Sequence, residues 1–318
     1  MHQLIDSIFT ASFGTFGDDG QHDGAVFIPP AGRLAFTTDS YVVNPLFFPG
    51  GNIGTLAVYG TVNDLAMCGA TPLYLSAGFI LEEGLPLETL WQVVQTMAEC
   101  ARIAGVRIVT GDTKVVERGK GDGIYINTAG IGVIEHGQVV ALSRIVPGSA
   151  VLLSGDIGRH GMAIMSAREG MEFEADLVSD CAPLNGLTAE LLQAGIEIHC
   201  MRDLTRGGLA GAVIELAQQS GKRIVLEETA ISVPAVVRSA TELLGLDPLY
   251  VANEGRMVCI VPFLDVDRAL TIMKRHNFTA NLIGQVITAD RGDVVLTNRL
   301  GVGRMLEMLS GEQLPRIC

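Results

Sequence analysis

Two stretches of this chain repeat one local grammar, and that repetition constrains the fold more than any single motif does. Between Leu87 and Ala104, the residues Leu87, Leu90, Trp91, Val94, Met97, Ala98 and Ala101 recur at helical spacing, behind Pro86 and ahead of Gly105. The spacing predicts a core-facing helix. A β-branched run, Val106–Thr110, follows at once and reads as a buried strand that ends at Gly111-Asp112. The order is helix, strand, acidic loop. In the second half Gly207–Gln219 is apolar at helical spacing, Gly221 closes it, and Arg223–Glu227 continues as a strand. Ala150–Ser154 and Met257–Pro262 supply further strands. Alternation in both halves predicts two α/β domains, which a length of 318 residues accommodates. Pro147-Gly148, inside the polar turn Leu142–Ser149, separates the run Ile124–Ile134 from the strand at Ala150. The domains are therefore expected at 1–145 and 146–308. Residues 309–318 lack periodicity and read as a flexible arm, whose last eight residues span up to ~25 Å when extended.

Charge narrows the function. Lys plus Arg number 22 against 35 Asp plus Glu, a formal net charge of −13, which argues against a nucleic-acid or anionic-membrane surface. Aromatic residues at 5% fit an aromatic-rich sugar or single-strand binder poorly. No long apolar run and no basic-then-apolar N-terminus occurs, so neither a membrane span nor a signal peptide is expected, and the expected location is cytoplasmic. Cysteines stand at 68, 100, 181, 200, 259 and 318, with no CxxC clip for zinc or an iron–sulfur cluster. Five read as buried free thiols. Cys318, the last residue, cannot easily be core.

Three aspartates of the first half, Asp39, Asp64 and Asp112, sit where strands should end or helices begin, each beside Ser, Thr, Asn or Gly. Strand-end carboxylates suit Mg²⁺ with a polyphosphate, although each alone also suits a cap or turn. Asp23, ahead of a short strand expected at Ala25–Ile28, and the loop pair Asp18-Asp19 are further candidates. There is no P-loop and no Rossmann fingerprint, so any nucleotide site is built another way. Lysine occurs only at 114, 120, 222 and 274. Lys114 beside Asp112 reads either as a phosphate-contacting or proton-exchanging ammonium, or as a surface lysine paired with Glu117. In the second half Asn253-Glu254-Gly255-Arg256 precedes a strand and Arg202–Gly208 precedes a helix. The latter offers an anion its backbone N–H groups, or is a plain N-cap by Asp203 or Thr205. His160-Gly161 is a weaker phosphate-loop candidate. The histidines, never at ligand spacing, read as structural or exposed. A terminal Cys318 is either accidental or a thiol that carries a group on a movable arm.

Taken together, Thr38–Gly51 with its PLFFPGG segment, Gly60–Asp64, Gly111–Val116 (GDTKVV), Asp203–Gly208, Asn253–Gly255 and the terminal Pro315-Arg316-Ile317-Cys318 resemble the HypE family of hydrogenase maturation factors. That family lies in the aminoimidazole ribonucleotide synthetase (PurM-like) superfamily, and the likeness runs from about Ala25 to the end. Segment 14–22 departs from the pattern. The resemblance implies a two-domain α/β (α+β) PurM-like fold, a homodimer paired through the N-terminal sheets, and ATP with Mg²⁺ held mainly by the N-terminal domain. It also implies a reaction. A carbamoyltransferase partner, HypF, would load a carbamoyl group onto the terminal cysteine. ATP-dependent dehydration would turn the thiocarbamate into a thiocyanate, and the cyano group would pass through a HypC–HypD complex to the iron of a nickel–iron hydrogenase. Carried over by position, Cys318 is the carrier, and Lys114 and Glu254 are proton-transfer candidates. Asp39, Asp64 and Asp112 become metal ligands, with Asp23, Asn63, Gly111 and Thr113 added at the nucleotide. The alternatives are a phosphotransferase of the same superfamily, such as a thiamine-monophosphate or selenophosphate-forming kinase, and a non-catalytic cysteine carrier.

Overall fold

The computed structural model describes residues 5–14, 25–28, 30–171, 176–309 and 317. Its first half is built on a four-stranded sheet in the order β1-β6-β4-β5. Here β1 is Arg33–Tyr41, β2 (Phe47–Phe48) and β3 (Gly51–Asn52) form a separate small hairpin, β4 is Thr71–Glu82, β5 is Arg107–Val116 and β6 is Ile124–Ile134. Only β4 and β5 run parallel, joined through helix α2, Leu87–Ala104. That helix has the bounds its periodicity predicts, and Gly105 ends it at φ +72°, where L side chains are strained.

Helix α1, Ile53–Met67, starts from a capping box. Asn52 Oδ1 accepts the Gly54 and Thr55 amides at 2.8 and 3.3 Å, while Thr55 Oγ1 accepts the Asn52 amide. The helix is buried on every side, because it lies between the first sheet and the second half of the chain. Every residue of α1 except Asp64 is buried.

The second half holds a seven-stranded sheet in the order β13-β12-β9-β11-β7-β10-β8. Its strands are β7 Ser149–Leu153, β8 Cys200–Asp203, β9 Arg223–Glu227, β10 Met257–Pro262, β11 Asn281–Ile287, β12 Val294–Thr297 and β13 Gly303–Leu306. All its pairings but β9–β12 are antiparallel, so the fold is α+β in its sheets. Helix α3 is Arg159–Glu169, α4 is Asn185–Gln193, α5 is Gly208–Ser220, α6 is Ala235–Leu244 and α7 is Val266–His276. One face of the sheet packs its apolar residues against α5, the other against α4 and α7. No helix among the described residues is long and apolar enough to cross a membrane.

Several local expectations change. Residues 25–28 form no strand, and Asp23, Asp18 and Asp19 lie outside the described residues. The acidic loop expected at Gly111-Asp112 is instead the middle of β5, which runs on to Val116. A register shift between Leu75 and Ser76 on β4 accommodates the extra residue of β5. A Cβ on Gly111 would stand 2.2 Å from the Ala77 carbonyl oxygen, so this glycine permits the close approach of two strands. Helix α5 is preceded by Gly207 at φ +75° with no side-chain cap, which overturns the N-cap by Asp203 or Thr205. Cys68 is exposed, not buried.

Candidate active site

The end of α1 and the ends of β1, β8 and β10 converge on one acidic cluster. Thr37 on β1 donates its hydroxyl to Asp64 Oδ2 at 2.9 Å, which ties strand to helix. Asp64 thus stands near the end of a helix and not at its start. Asp39, two residues along the same face of β1, accepts the Ser40 amide on Oδ1 at 2.7 Å. Asp203 ends β8 opposite Met257, the first residue of β10, and the loop leading into β10 carries Glu254.

The cluster is short of positive charge. Burial first, and then the Asp64 carboxylate, pushes the Asp203 carboxyl up to about 7. Burial, followed by Asp203, Asp180, Asp39 and Asp64, holds Glu254 well above the ordinary carboxyl range. Glu254 Oε1 is buried without a hydrogen-bond partner. Burial also raises Asp64, against the Thr37 hydrogen bond. Repulsion of this kind is relieved by a cation or by N–H and O–H donors.

Backbone contacts fix Glu254. The Asp180 carboxylate accepts the Glu254 amide on Oδ1 and the Gly255 amide on Oδ2, both at 3.2 Å. A Cβ on Gly255 would stand 2.0 Å from the Asp180 carbonyl oxygen, so only glycine lets these two loops meet. Asn63, expected at the nucleotide, spends its polar atoms on the chain itself. Its Oδ1 accepts the Leu184 amide at 2.7 Å, and its Nδ2 donates to the carbonyls of Ala182 and Glu254 at 3.1 and 3.4 Å. Asn253 is likewise structural, with Oδ1 accepting the Gly158 amide at 2.6 Å. A cavity of about 350 Å³ opens beside the Ser179-Asp180-Cys181 loop, and its Arg159 and Arg256 are balanced by Asp156 and Asp180.

Asp112 and Lys114 stand elsewhere. Lys114 donates to Asp112 at 2.9 Å, so its partner is not Glu117. Both side chains are about 70% exposed, and the Lys114 hydrogen bond holds the Asp112 carboxyl below its ordinary value. Register places them on the open face of the sheet: Asp112 pairs Gly78 and Lys114 pairs the exposed Ile80, whereas Gly111 and Thr113 pair the buried Ala77 and Phe79. Asp39 and Thr37 belong to the face covered by α1, since Asp39 pairs Thr128, which is buried against that helix. β1 and β5 are the two edges of the sheet, roughly 14 Å apart at three strand spacings. Within one chain, Lys114 and Asp112 do not join Asp39, Asp64, Asp203 and Glu254.

Cys318 lies outside the described residues, but its neighbour Ile317 does not. Ile317 is buried, bridges Val43 in antiparallel fashion, and its carbonyl accepts a hydrogen bond from His160 Nε2 at 2.6 Å. His160 is therefore structural, as the histidine spacing implied, and its phosphate-loop reading is withdrawn. Its Nδ1 is 2.8 Å from Ser179 Oγ, and Cys181 Sγ is 3.1 Å from the same hydroxyl. Asp180, Asp203, Ser179 and Cys181 are the residues that sequence reasoning passed over as site members. The segment of Ser179, Asp180 and Cys181 carries no periodicity and no motif, and only its meeting with loop 253–255 reveals it, whereas Asp203 lies in the Asp203–Gly208 motif but reads there as a helix-start loop residue.

The AIR synthase related protein N-terminal domain family matches residues 21–134, and its C-terminal domain family matches residues 146–297. Carbamoyl dehydratase HypE of Azotobacter vinelandii is 52% identical over 320 residues, covering 100% of this chain and 94% of the relative. A solved structure of hydrogenase maturation protein HypE in complex with ATP superimposes with a TM-score of 0.93 at 47% identity, covering 100% of this chain and 96% of the other. A HypE–HypF complex gives 0.83 at 46% identity, over 96% of this chain and 99% of that one. With two family domains in series and half of its residues shared along its full length, the chain belongs to the HypE carbamoyl dehydratase family, on the AIR synthase related fold.

Proposed function

We propose that the chain dehydrates a carbamoyl group carried on Cys318, at the expense of ATP, to a thiocyanate that supplies the cyanide ligand of a nickel–iron hydrogenase. The observation that carries this reading is the seat of Ile317. Residue 317 is held by His160, beside the Ser179-Asp180-Cys181 loop that grips the backbone of Glu254. Residue 317 is thereby tied, through His160, to the loop that fixes the Glu254 backbone. A superfamily kinase needs no such docking of its own C-terminus. In this reading residues 1–145 bind nucleotide and pair with a second copy, 146–308 supply Asp203 and Glu254, and 309–318 carry the thiol.

The chemistry balances. A thiocarbamate and ATP give a thiocyanate, ADP and phosphate: the amide oxygen takes the γ-phosphoryl group and leaves as phosphate, while two N–H protons depart as the C≡N bond closes. Glu254 is suited to accept one of them, because its surroundings favour the protonated carboxyl. Asp39, Asp64 and Asp203 would hold Mg²⁺, which offsets the charge of the polyphosphate. Among the described residues no three acidic groups stand close enough to hold an ion unaided, so phosphate and water would complete its shell.

The separation of Lys114 from this cluster is resolved by a second copy. The open face of the first sheet exposes Leu34 at 57% and Phe36 at 71%, with Ile80 also uncovered there. Paired about a two-fold axis, such faces bury their apolar residues and let Lys114 and Asp112 of each copy serve the cluster of the other. HypF, as donor of the carbamoyl group, and a HypC–HypD complex, as acceptor of the cyano group, are the proposed partners. Mass spectrometry of the C-terminal peptide after incubation with HypF, a carbamoyl donor and ATP tests the reading. The expected product is a thiocyanate on Cys318, and a carboxamide that ATP leaves unchanged would refute it.

A further inference from the structure

We propose that Arg202 is a phosphate-binding arginine, parked in an ion pair with Glu215 and turned onto the polyphosphate of ATP when the nucleotide enters the acidic cluster. This rests on the reading that ATP binds there with Asp39, Asp64 and Asp203.

The position follows from the sheet. Arg202 is the penultimate residue of β8, and β8 is an edge of the seven-stranded sheet. Across the ladder Arg202 pairs Val258, which lies in the apolar layer against α5, whereas Asp203 pairs Met257, in the layer on the other face. The two neighbours therefore start from opposite faces. On an inner strand that would keep them apart, but an edge strand has no neighbour beyond it, and a side chain as long as arginine passes round it. Helix α1, which carries Asp64, packs against β8. The Arg202 charge is felt on that side, where it acts to lower both the Asp64 and the Asp203 carboxyls against their burial.

Two other arginines of the second half are committed. Arg256 donates to the Asp156 carboxylate at 2.7 Å and to the carbonyls of Asp156 and Gly255 at 3.0 and 2.9 Å, and Arg159 donates to the same carboxylate. Arg202 has one partner among the described residues. It donates to Glu215 Oε2 on α5 at 3.0 Å, and the two side chains are 45% and 37% exposed. An exposed pair of this kind is weak, whereas a guanidinium matches two phosphate oxygens at once. Glu215 is thus a rest position for the arginine and takes no part in holding the nucleotide. A polyphosphate brings further negative charge to Asp39, Asp64, Asp203 and Glu254, and Arg202 offsets part of it from the same chain that supplies those carboxylates.

Isothermal titration of ATP with Mg²⁺ into the full chain tests the arginine. Arg202→Gln should bind ATP about tenfold more weakly, the value of one lost charge-assisted hydrogen bond, at an unchanged urea midpoint. Glu215→Gln, which releases the arginine, should bind ATP as tightly as the unaltered chain or up to about fivefold more tightly, the range of an exposed ion pair. The double variant should match Arg202→Gln, since Glu215 acts only through the arginine. Unchanged ATP affinity in Arg202→Gln would overturn the proposal. A Glu215→Gln variant as weak as Arg202→Gln would also overturn it, because the pair would then serve to hold β8 to α5. With HypF, a carbamoyl donor and ATP, Arg202→Gln should load carbamoyl normally and show a KM for ATP raised about tenfold. Loading lost together with ATP use would mark a merely structural residue and overturn the role. If the titrations respond as expected while the unaltered chain forms no thiocyanate, the arginine site stands and the proposed reaction fails; if the unaltered chain binds no ATP, both fall.

Discussion

The Leu184 amide donates a 2.7 Å hydrogen bond to the Asn63 side chain, 121 residues away in sequence, and so joins the helix of Asp64 to the segment that follows Cys181. The same amide group of Asn63 reaches the carbonyls of Ala182 and Glu254. Asn63→Leu would strand these buried groups, and a loss of about 2–3 kcal/mol is expected. Urea denaturation should show a lower midpoint with an unchanged slope. Loss of nucleotide affinity without loss of stability would return Asn63 to the ligand set.

Lys114 and Asp112 form an exposed pair, worth at most about 1 kcal/mol to stability. Lys114→Ala should therefore fold normally and accept the carbamoyl group, but stall at dehydration. Lys114→Arg keeps the charge while remaining protonated near neutral pH. If Lys114 only attracts phosphate, the arginine variant should form thiocyanate within about fivefold of the original rate; if it exchanges a proton, the loss should reach about 10²-fold or more.

Placement on opposite faces and edges of one sheet gives a complementation test. Lys114→Ala and Asp64→Asn should each be inactive alone. Mixed under conditions that exchange subunits, they should recover about a quarter of the activity, since half the dimers are mixed and each of those holds one intact site. No recovery from subunits shown to have exchanged would mean that each copy works alone.

Asp39→Asn, Asp64→Asn and Asp203→Asn should each weaken Mg²⁺-dependent ATP binding, as a neutral amide offsets no phosphate charge through a metal. Asp203, which the sequence offered as part of a helix-start loop and not as a metal ligand, is the discriminating member. Isothermal titration with and without Mg²⁺ measures the effect, and three unchanged affinities would remove the metal assignment.

Burial opposes ionisation of Asp156, but Arg256 and Arg159 outweigh it and hold the carboxyl below its ordinary value. A depressed carboxyl contributes stability that is present above the unfolded value near 4 and is lost as pH falls below it. Asp156→Asn should cost about 2 kcal/mol near pH 7, because Arg256 loses its nearest carboxylate and keeps only Asp180, at 3.9 Å. The gap between the two proteins should narrow as pH falls below about 4, and thermal melts across that range report it.

What could be read from the sequence follows from what determines each element. Helix α2 and strand β9 were legible because periodicity and the glycines at 105 and 221 are local signals. The course of Gly111–Lys114 was not, because an edge strand with an exposed face shows no apolar alternation, and its bulge depends on a partner strand about 35 residues earlier. Glu254 was found, but its surroundings were not: Asp180 and Asp203 act on it through loops that meet only in the folded chain. Lys114 and Glu254 are both visible as candidates, yet their separation is a property of sheet order, which no local pattern encodes.

Helix α1 has no side that belongs to water. Its apolar surface is shared by the sheet of the first half and by α4 and β8 of the second. Severing the chain near residue 146 would leave the first piece with a greasy flank and the second with a groove of matching shape, so the pieces would aggregate or seek each other. The pair of family domains is in this sense a single machine with one axle: Asp64, Asn63 and the loop of Glu254 keep their alignment only while α1 is gripped from both sides, and strain that loosens either half is felt at the carboxylates of the other.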